Sequence, residues 1–139
     1  MLRAVQRLYT IGLKPEWWKL APMRPSAWRA LAALIDARDP QCRGAVILGL
    51  NQPPDELARG FAAATHPIVK GFMVGRTLWA APALAWLAGG LDDEALVAQV
   101  AANFEALVDA WRASRPAGGD GPAAPLRQHD ISVADTRSA

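Results

Sequence analysis

Ile68-Val69-Lys70-Gly71-Phe72-Met73-Val74-Gly75-Arg76-Thr77-Leu78-Trp79 reads as a buried strand that ends in Gly-Arg-Thr and turns into a helix. A glycine at such a junction lets backbone N–H groups approach a bound anion, and the helix N-terminus behind them favours negative charge. In a (β/α) barrel, a phosphate site of this kind sits after the last two strands. The plainer reading is an ordinary βα turn with glycine for tightness, since the spacing is looser than that of a P-loop.

Upstream of this stretch, Gly44-Ala45-Val46-Ile47-Leu48-Gly49-Leu50 is a continuous apolar run, as in strands buried on both faces of a parallel sheet. Between the two strands, Asn51 to Pro54 form a loop and Asp55 to Ala64 a helix with Leu57 and Phe61 at i, i+4. Further upstream, Ser26 is a suitable N-cap for a helix whose apolar face is Trp28, Leu31, Leu34 and Ile35, ending near Arg38. Glu16 to Leu20, bounded by Pro15 and Pro22, reads as a short strand. Before it, Leu2, Val5 and Leu8 recur at helical spacing, with Gly12 as C-cap.

Downstream, a short helix is expected over Leu78 to Ala88, ended by Gly89-Gly90. A last helix carries Leu96, Val100, Phe104, Leu107, Val108 and Trp111 on one stripe. Asp92, Asp93 and Glu94 at its start and Arg112 and Arg115 at its end match the macrodipole.

The expected class is α/β: three parallel strands alternating with helices over residues 1–115, then a disordered tail over 116–139, rich in Gly, Pro and Ala. Helices on one side of such a sheet leave its other face bare, and here that face is apolar apart from Lys19. Such a chain is expected to self-associate or to form part of something larger.

Composition narrows the function. With 52% hydrophobic and 20% charged residues the chain is globular, and a net charge of +2 without an arginine run gives no nucleic-acid footprint. The most apolar region, Leu78 to Leu91, is interrupted by Pro82 and Gly89-Gly90, so no membrane span is expected. The N-terminal residues lack the apolar run and cleavage site of a secretory signal. A single cysteine, Cys42, fits a reducing cytoplasm. There is no GxGxxG, no Ser-His-Asp arrangement and no metal-ligand spacing, so neither cofactor nor metal is expected. His66 precedes Pro67 on the side of its strand that is structural in barrels, and His129 lies in the tail. Lys70 begins its strand as a surface lysine, and the six tryptophans read mostly as core or helix-facing anchors.

Lys19 stands out within Pro15-Glu16-Trp17-Trp18-Lys19-Leu20-Ala21-Pro22. Alternation puts it on one face with Trp17, opposite Trp18 and Leu20. A lysine near the C-terminal end of a buried strand is unusual. Its two explanations are a functional amine and a side chain that snorkels to water.

Gly12 to Pro22, Val46 to Asn51 and Lys70 to Thr77 together resemble the last three βα units of an aldolase-like (β/α)8 barrel. The family is the C-terminal domain of bacterial inositol-catabolism proteins. That domain is often fused behind a sugar kinase and assigned as 5-dehydro-2-deoxyphosphogluconate aldolase. More distantly, the pattern is similar to class I tagatose-bisphosphate aldolases. The match covers Leu2 to Arg115, with three motifs in order. It implies a Schiff-base lysine at Lys19 on strand six, Gly49 lining the end of strand seven, and Gly75 and Arg76 in the phosphate loop after strand eight. It also implies a phosphorylated deoxy-keto sugar acid as substrate. Strands one to five and the kinase domain have no counterpart here, nor do the carboxylate and second lysine of the earlier strands. The chain is therefore expected to be incomplete as a catalyst.

Imine formation needs a neutral amine, and for a lysine of ordinary pKa, about 10.4, only roughly one in a few thousand is neutral at pH 7. Desolvation or a nearby cation, such as Arg24 or Arg76, lowers such a pKa. A separate base must take the substrate's hydroxyl proton. Glu16 points away from the Lys19 face, and Asp55 reads as a first-turn helix residue. Three readings follow: part of a class I aldolase, a non-catalytic phosphate-binding fragment that needs a partner, and a remnant of a longer gene.

Overall fold

The computed structural model describes residues 1–115. The expected tail and His129 lie outside the described residues. Helices and strands alternate as α1 (Leu2–Thr10), β1 (Trp17–Leu20), α2 (Pro25–Arg38), β2 (Gly44–Leu48), α3 (Pro54–Ala63), β3 (Val69–Met73), α4 (Arg76–Leu87) and α5 (Asp93–Ala113). The strands form one parallel sheet in the order β1-β2-β3. This is the expected α/β arrangement, an arc of consecutive βα units.

Local chemistry sets the element ends. Gly12, at φ +88, closes α1: its N–H bonds Tyr9 O at 3.0 Å and the Leu13 N–H bonds Leu8 O at 3.0 Å. These are the two bonds of a Schellman cap. α2 begins at Pro25 with Arg24 as N-cap, not at the expected Ser26. Proline at the first helical position has no N–H to waste and a preset φ, and Ser26 falls inside the helix. α3 starts the same way at Pro54. α5 is capped by Asp92, whose carboxylate accepts from Ala95 N at 2.8 Å.

α4 differs from expectation. It starts at Arg76, two residues before Leu78, and keeps Pro82 in its interior. Proline cannot donate to the carbonyl four residues back. That carbonyl is Leu78 O, and Asn103 Nδ2 of α5 donates to it at 2.7 Å. The neighbouring helix thus satisfies the group that Pro82 orphans.

The helices cover one face of the sheet. Trp18 and Leu20 alternate inward on β1 and pair with Ala45 and Ile47 on β2, and all four are buried. Between Ala45 and Val46 the register with β3 shifts, so that Ala45 pairs with Val69 and Ile47 with Phe72. This irregularity brings both Val69 and Phe72 toward the helices. Fully buried Trp28, Leu31 and Ile35 of α2, Leu57 and Phe61 of α3 and Leu107 of α5 complete the core. Phe61 stacks on Phe72 at 5.0 Å and meets Trp111 edge-on at 5.4 Å. Arg115 lies 3.7 Å over the Trp111 ring and donates to Ala64 O at 2.9 Å and Phe61 O at 3.2 Å, closing the end of α3.

The other face of the sheet has no covering layer among the described residues. Trp17 and Met73 are 41% and 52% exposed there, Lys19 is exposed, and Val46 and Leu48 are half-buried. The α5 stripe is only partly covered, with Leu107 buried and Phe104 48% exposed. Of the tryptophans, Trp18 and Trp28 are buried, and Trp17, Trp79 and Trp86 are exposed. A single helical layer over three strands has too little surface to cover them all. Among the described residues no helix is long and apolar enough to cross a membrane.

Candidate functional site

The C-terminal ends of the three strands open into a cleft of about 460 Å³. Lys19, Gly49, Gly75 and Arg76, the four residues singled out in the sequence, all line it. β1 supplies Lys19, one residue from the strand end and on the uncovered face. β2 supplies Leu48 and the turn Gly49-Leu50-Asn51, and β3 with the start of α4 supplies Met73 to Thr77 and Trp79.

Gly49 works by letting two segments touch. A Cβ at this position would stand 2.8 Å from Val74 Cγ1 and 3.1 Å from Thr77 Oγ1. Only hydrogen lets the β2 end lie directly on the loop after β3. The chain then leaves through Leu50 and Asn51, both left-handed at φ 53 and φ 60. Asparagine tolerates that conformation, whereas in leucine it stores about 1–2 kcal/mol. Such backbone strain is concentrated at functional sites.

The start of α4 forms the opposite wall. Gly75 is its N-cap, and the first helical bond is Leu78 N to Gly75 O at 2.8 Å. The N–H groups of Arg76 and Thr77 have no acceptor among the described residues. No side chain caps this helix and no acid stands in its first turn, as in α1 and α2, whereas α3 has Asp55 and Glu56 there and α5 has Asp93 and Glu94. Arg76 places a cation where the helix dipole is already positive, an arrangement that an anion would relieve.

Two side chains on this wall were not identified as site residues in the sequence. Thr77 Oγ1 is buried without a hydrogen-bond partner. A hydroxyl left so costs about 1–3 kcal/mol. Trp79 is 47% exposed, and its Nε1 lies 3.5 Å from where a Cβ on Gly75 would be. The signal lay in the helix start. With α4 beginning at Arg76, Trp79 is one turn from Gly75 and falls on the same side. A start at Leu78 hides that relation.

The other polar residues lie elsewhere. Arg24 borders a separate groove with Met1, Leu2, Arg3, Met23 and Ala27, so of the two arginines considered as neighbours of Lys19 only Arg76 shares its cleft. Glu16 pairs with Arg43 at 3.6 Å in solvent. Asp55 pairs with Arg59 at 3.0 Å, and that hydrogen bond holds its carboxyl below the usual range. His66 Nδ1 accepts from Ile68 N at 3.2 Å within the turn before β3. Lys70 is exposed on β3. No carboxylate or imidazole therefore lines the cleft among the described residues. Its chemistry is that of two cationic side chains, the Asn51 amide, free backbone donors and an indole.

Comparison with known proteins adds a family and no activity. No curated protein and no solved structure matches the chain. A family model described as an uncharacterized protein conserved in bacteria (DUF2090) matches residues 1–115, the whole of the fold just described, and the chain belongs to that family.

Proposed function

We propose that this chain carries the carbonyl- and phosphate-binding end of a class I aldolase acting on a phosphorylated deoxy-keto sugar acid. By resemblance, that acid arises in cytoplasmic myo-inositol catabolism. The observation that carries the reading is that Lys19 and the uncapped start of α4 face one cleft. In this reading the substrate phosphate lies against the Arg76 and Thr77 N–H groups. Its ketone carbon lies at Lys19 Nζ.

The neutral amine adds to the ketone carbon, the carbinolamine loses its hydroxyl as water, and with one proton taken up from solvent the product is an iminium. The iminium accepts the electron pair of the breaking carbon–carbon bond, while the substrate hydroxyl gives its proton to a base. With no carboxylate or imidazole lining the cleft, that base comes from a second copy or a partner set against the open sheet face. The same lining supports a second reading, a phosphate-binding module that performs no bond cleavage.

Borohydride trapping with a phosphorylated keto sugar, followed by peptide mapping, tests the first reading. Label on Lys19, lost in Lys19→Ala, is the expected result. Label on Lys14 or Lys70, or label unchanged in Lys19→Ala, would sink it. Phosphate binding without any trapped adduct would leave the second.

A further inference from the structure

Charge is divided unevenly along this fold. Residues 1–50, from α1 through β2, carry eight Lys and Arg against three Asp and Glu, whereas residues 51–115, from α3 through α5, carry five against seven. Each half has its own apolar groove. Leu2, Met23 and Ala27, at the starts of α1 and α2, line one of about 560 Å³ together with Arg3 and Arg24. Beyond β3, α4 and α5 enclose another of about 550 Å³ whose lining is wholly apolar, with Trp79 on α4 and Val97, Ala101 and Phe104 on α5. Val97 is 67% exposed there, and Trp79 and Phe104 are exposed beside it. A contiguous apolar surface of this kind marks an interaction site. Glu94 stands one turn before Val97 and Glu105 one turn after Ala101, so both flank the groove. Arg3, Arg24, Glu94 and Glu105 are exposed, and none has an ion-pair partner among the described residues.

We propose that the α4–α5 groove is a docking surface for a second copy of this chain, which enters head to tail with its α1–α2 edge. Charge selects this occupant and this orientation. Two α4–α5 grooves set against each other would oppose Glu94 and Glu105 to themselves, and two α1–α2 edges would oppose arginines. Like charges across an interface cost affinity. The unlike pairing brings Arg3 and Arg24 to Glu94 and Glu105, and lays Leu2 and Met23 on an apolar floor to which a methionine adapts readily. The contact is heterologous, so each copy uses both patches when the ring closes. Trp79 lines this groove and the Lys19 cleft alike, so the docked copy also walls the cleft. The contact is separate from the uncovered sheet face and does not depend on the catalytic reading.

The test is sedimentation of the full chain at micromolar concentration, with wild type beside two charge-reversed variants. One carries Glu94→Arg and Glu105→Arg, the other Arg3→Glu and Arg24→Glu. All four positions are exposed, and Asp92 and Asp93 remain to hold the start of α5. Wild type should associate, and less so as salt rises. Each variant alone should associate roughly tenfold more weakly or worse. An equimolar mixture of the two should recover association, because each then meets an unlike partner. Should the first variant fail to fold by circular dichroism, Val97→Arg takes its place at an exposed position in the groove, with the same loss and the same recovery. A wild-type monomer throughout would overturn the inference. Variants that associate as wild type would overturn it too, and leave the uncovered sheet face as the interface. Loss in both variants without recovery in the mixture would overturn the head-to-tail pairing.

Discussion

Gly49→Ala is the sharpest probe of how the cleft is built. The added methyl would sit 2.8 Å from Val74 Cγ1, 3.1 Å from Thr77 Oγ1 and 3.2 Å from Val74 Cβ. Carbon atoms pack comfortably at about 3.5–4.0 Å, so the loop must retreat by more than half an ångström. Val74 is β-branched and stiff at χ1, which leaves backbone movement as the main escape. Forcing a methyl into a packed contact costs about 1–3 kcal/mol. The entropy that alanine removes from the unfolded chain offsets about 0.4–1 kcal/mol of that. A net loss of about 1–2 kcal/mol follows, a fall of several degrees in Tm for a domain of this size. Because Val74 leads into the α4 start, phosphate affinity should fall as well. Gly71→Ala is the control: a Cβ there meets nothing within 4 Å, so it should be neutral or slightly stabilising. Urea unfolding of both variants, with a phosphate titration beside it, reads the difference. Gly49→Ala with wild-type stability and wild-type phosphate affinity would refute the close approach of the β2 end to the α4 start.

Gly75→Val should weaken phosphate binding more than Arg76→Ala, because backbone donors supply most of the contacts and a branched side chain would crowd the Trp79 indole; paired NMR titrations check the order. Tyr9 is the only tyrosine, so tyrosinate absorbance reads it alone. Burial raises its pKa above the ordinary 10.0, against the lowering effect of the Trp18 Nε1 bond at 2.7 Å. Its contribution to stability is therefore fully present below pH 10 and is lost as pH rises through the elevated folded value; Tyr9→Phe should flatten the alkaline limb of a stability–pH curve. Sedimentation at micromolar concentration should show association through the uncovered sheet face around Trp17 and Met73, and a sharply melting monomer would contradict that.

Element order was legible because each element announces itself in apolar periodicity: Trp28, Leu31 and Ile35 at helical spacing, Trp18 and Leu20 in alternation. Lys19 was placed correctly for the same reason, since alternation on a four-residue strand leaves only one face for it. What failed was what depends on two elements at once. The start of α4 was misplaced because Gly75 and Arg76 look like the tail of a strand, and with that shift Trp79 lost its place at the cleft. The irregularity opposite Val46 falls beside Gly71, a glycine inside the strand whose marking of a bulge was not read, and it decides that Val69 and Phe72 share a face. The exposure of Phe104 could not be read from its stripe, because periodicity states which side is apolar and not whether anything covers it.

Arg115 has a bearing on the order of events during synthesis. The final turn of α3 is closed by a side chain that follows Ala64 by 51 positions and Phe61 by 54. On a nascent chain, α1 through α3 and their strands leave the ribosome well before that guanidinium does. Until then Phe61 lacks its Trp111 partner and the Ala64 carbonyl lacks its donor, so the half-made sheet waits with an apolar aromatic surface exposed. Closing that loop late adds entropy cost to the last step of folding. A pause in translation just before α5 is complete is therefore the moment at which this chain is most exposed to aggregation and to chaperone capture.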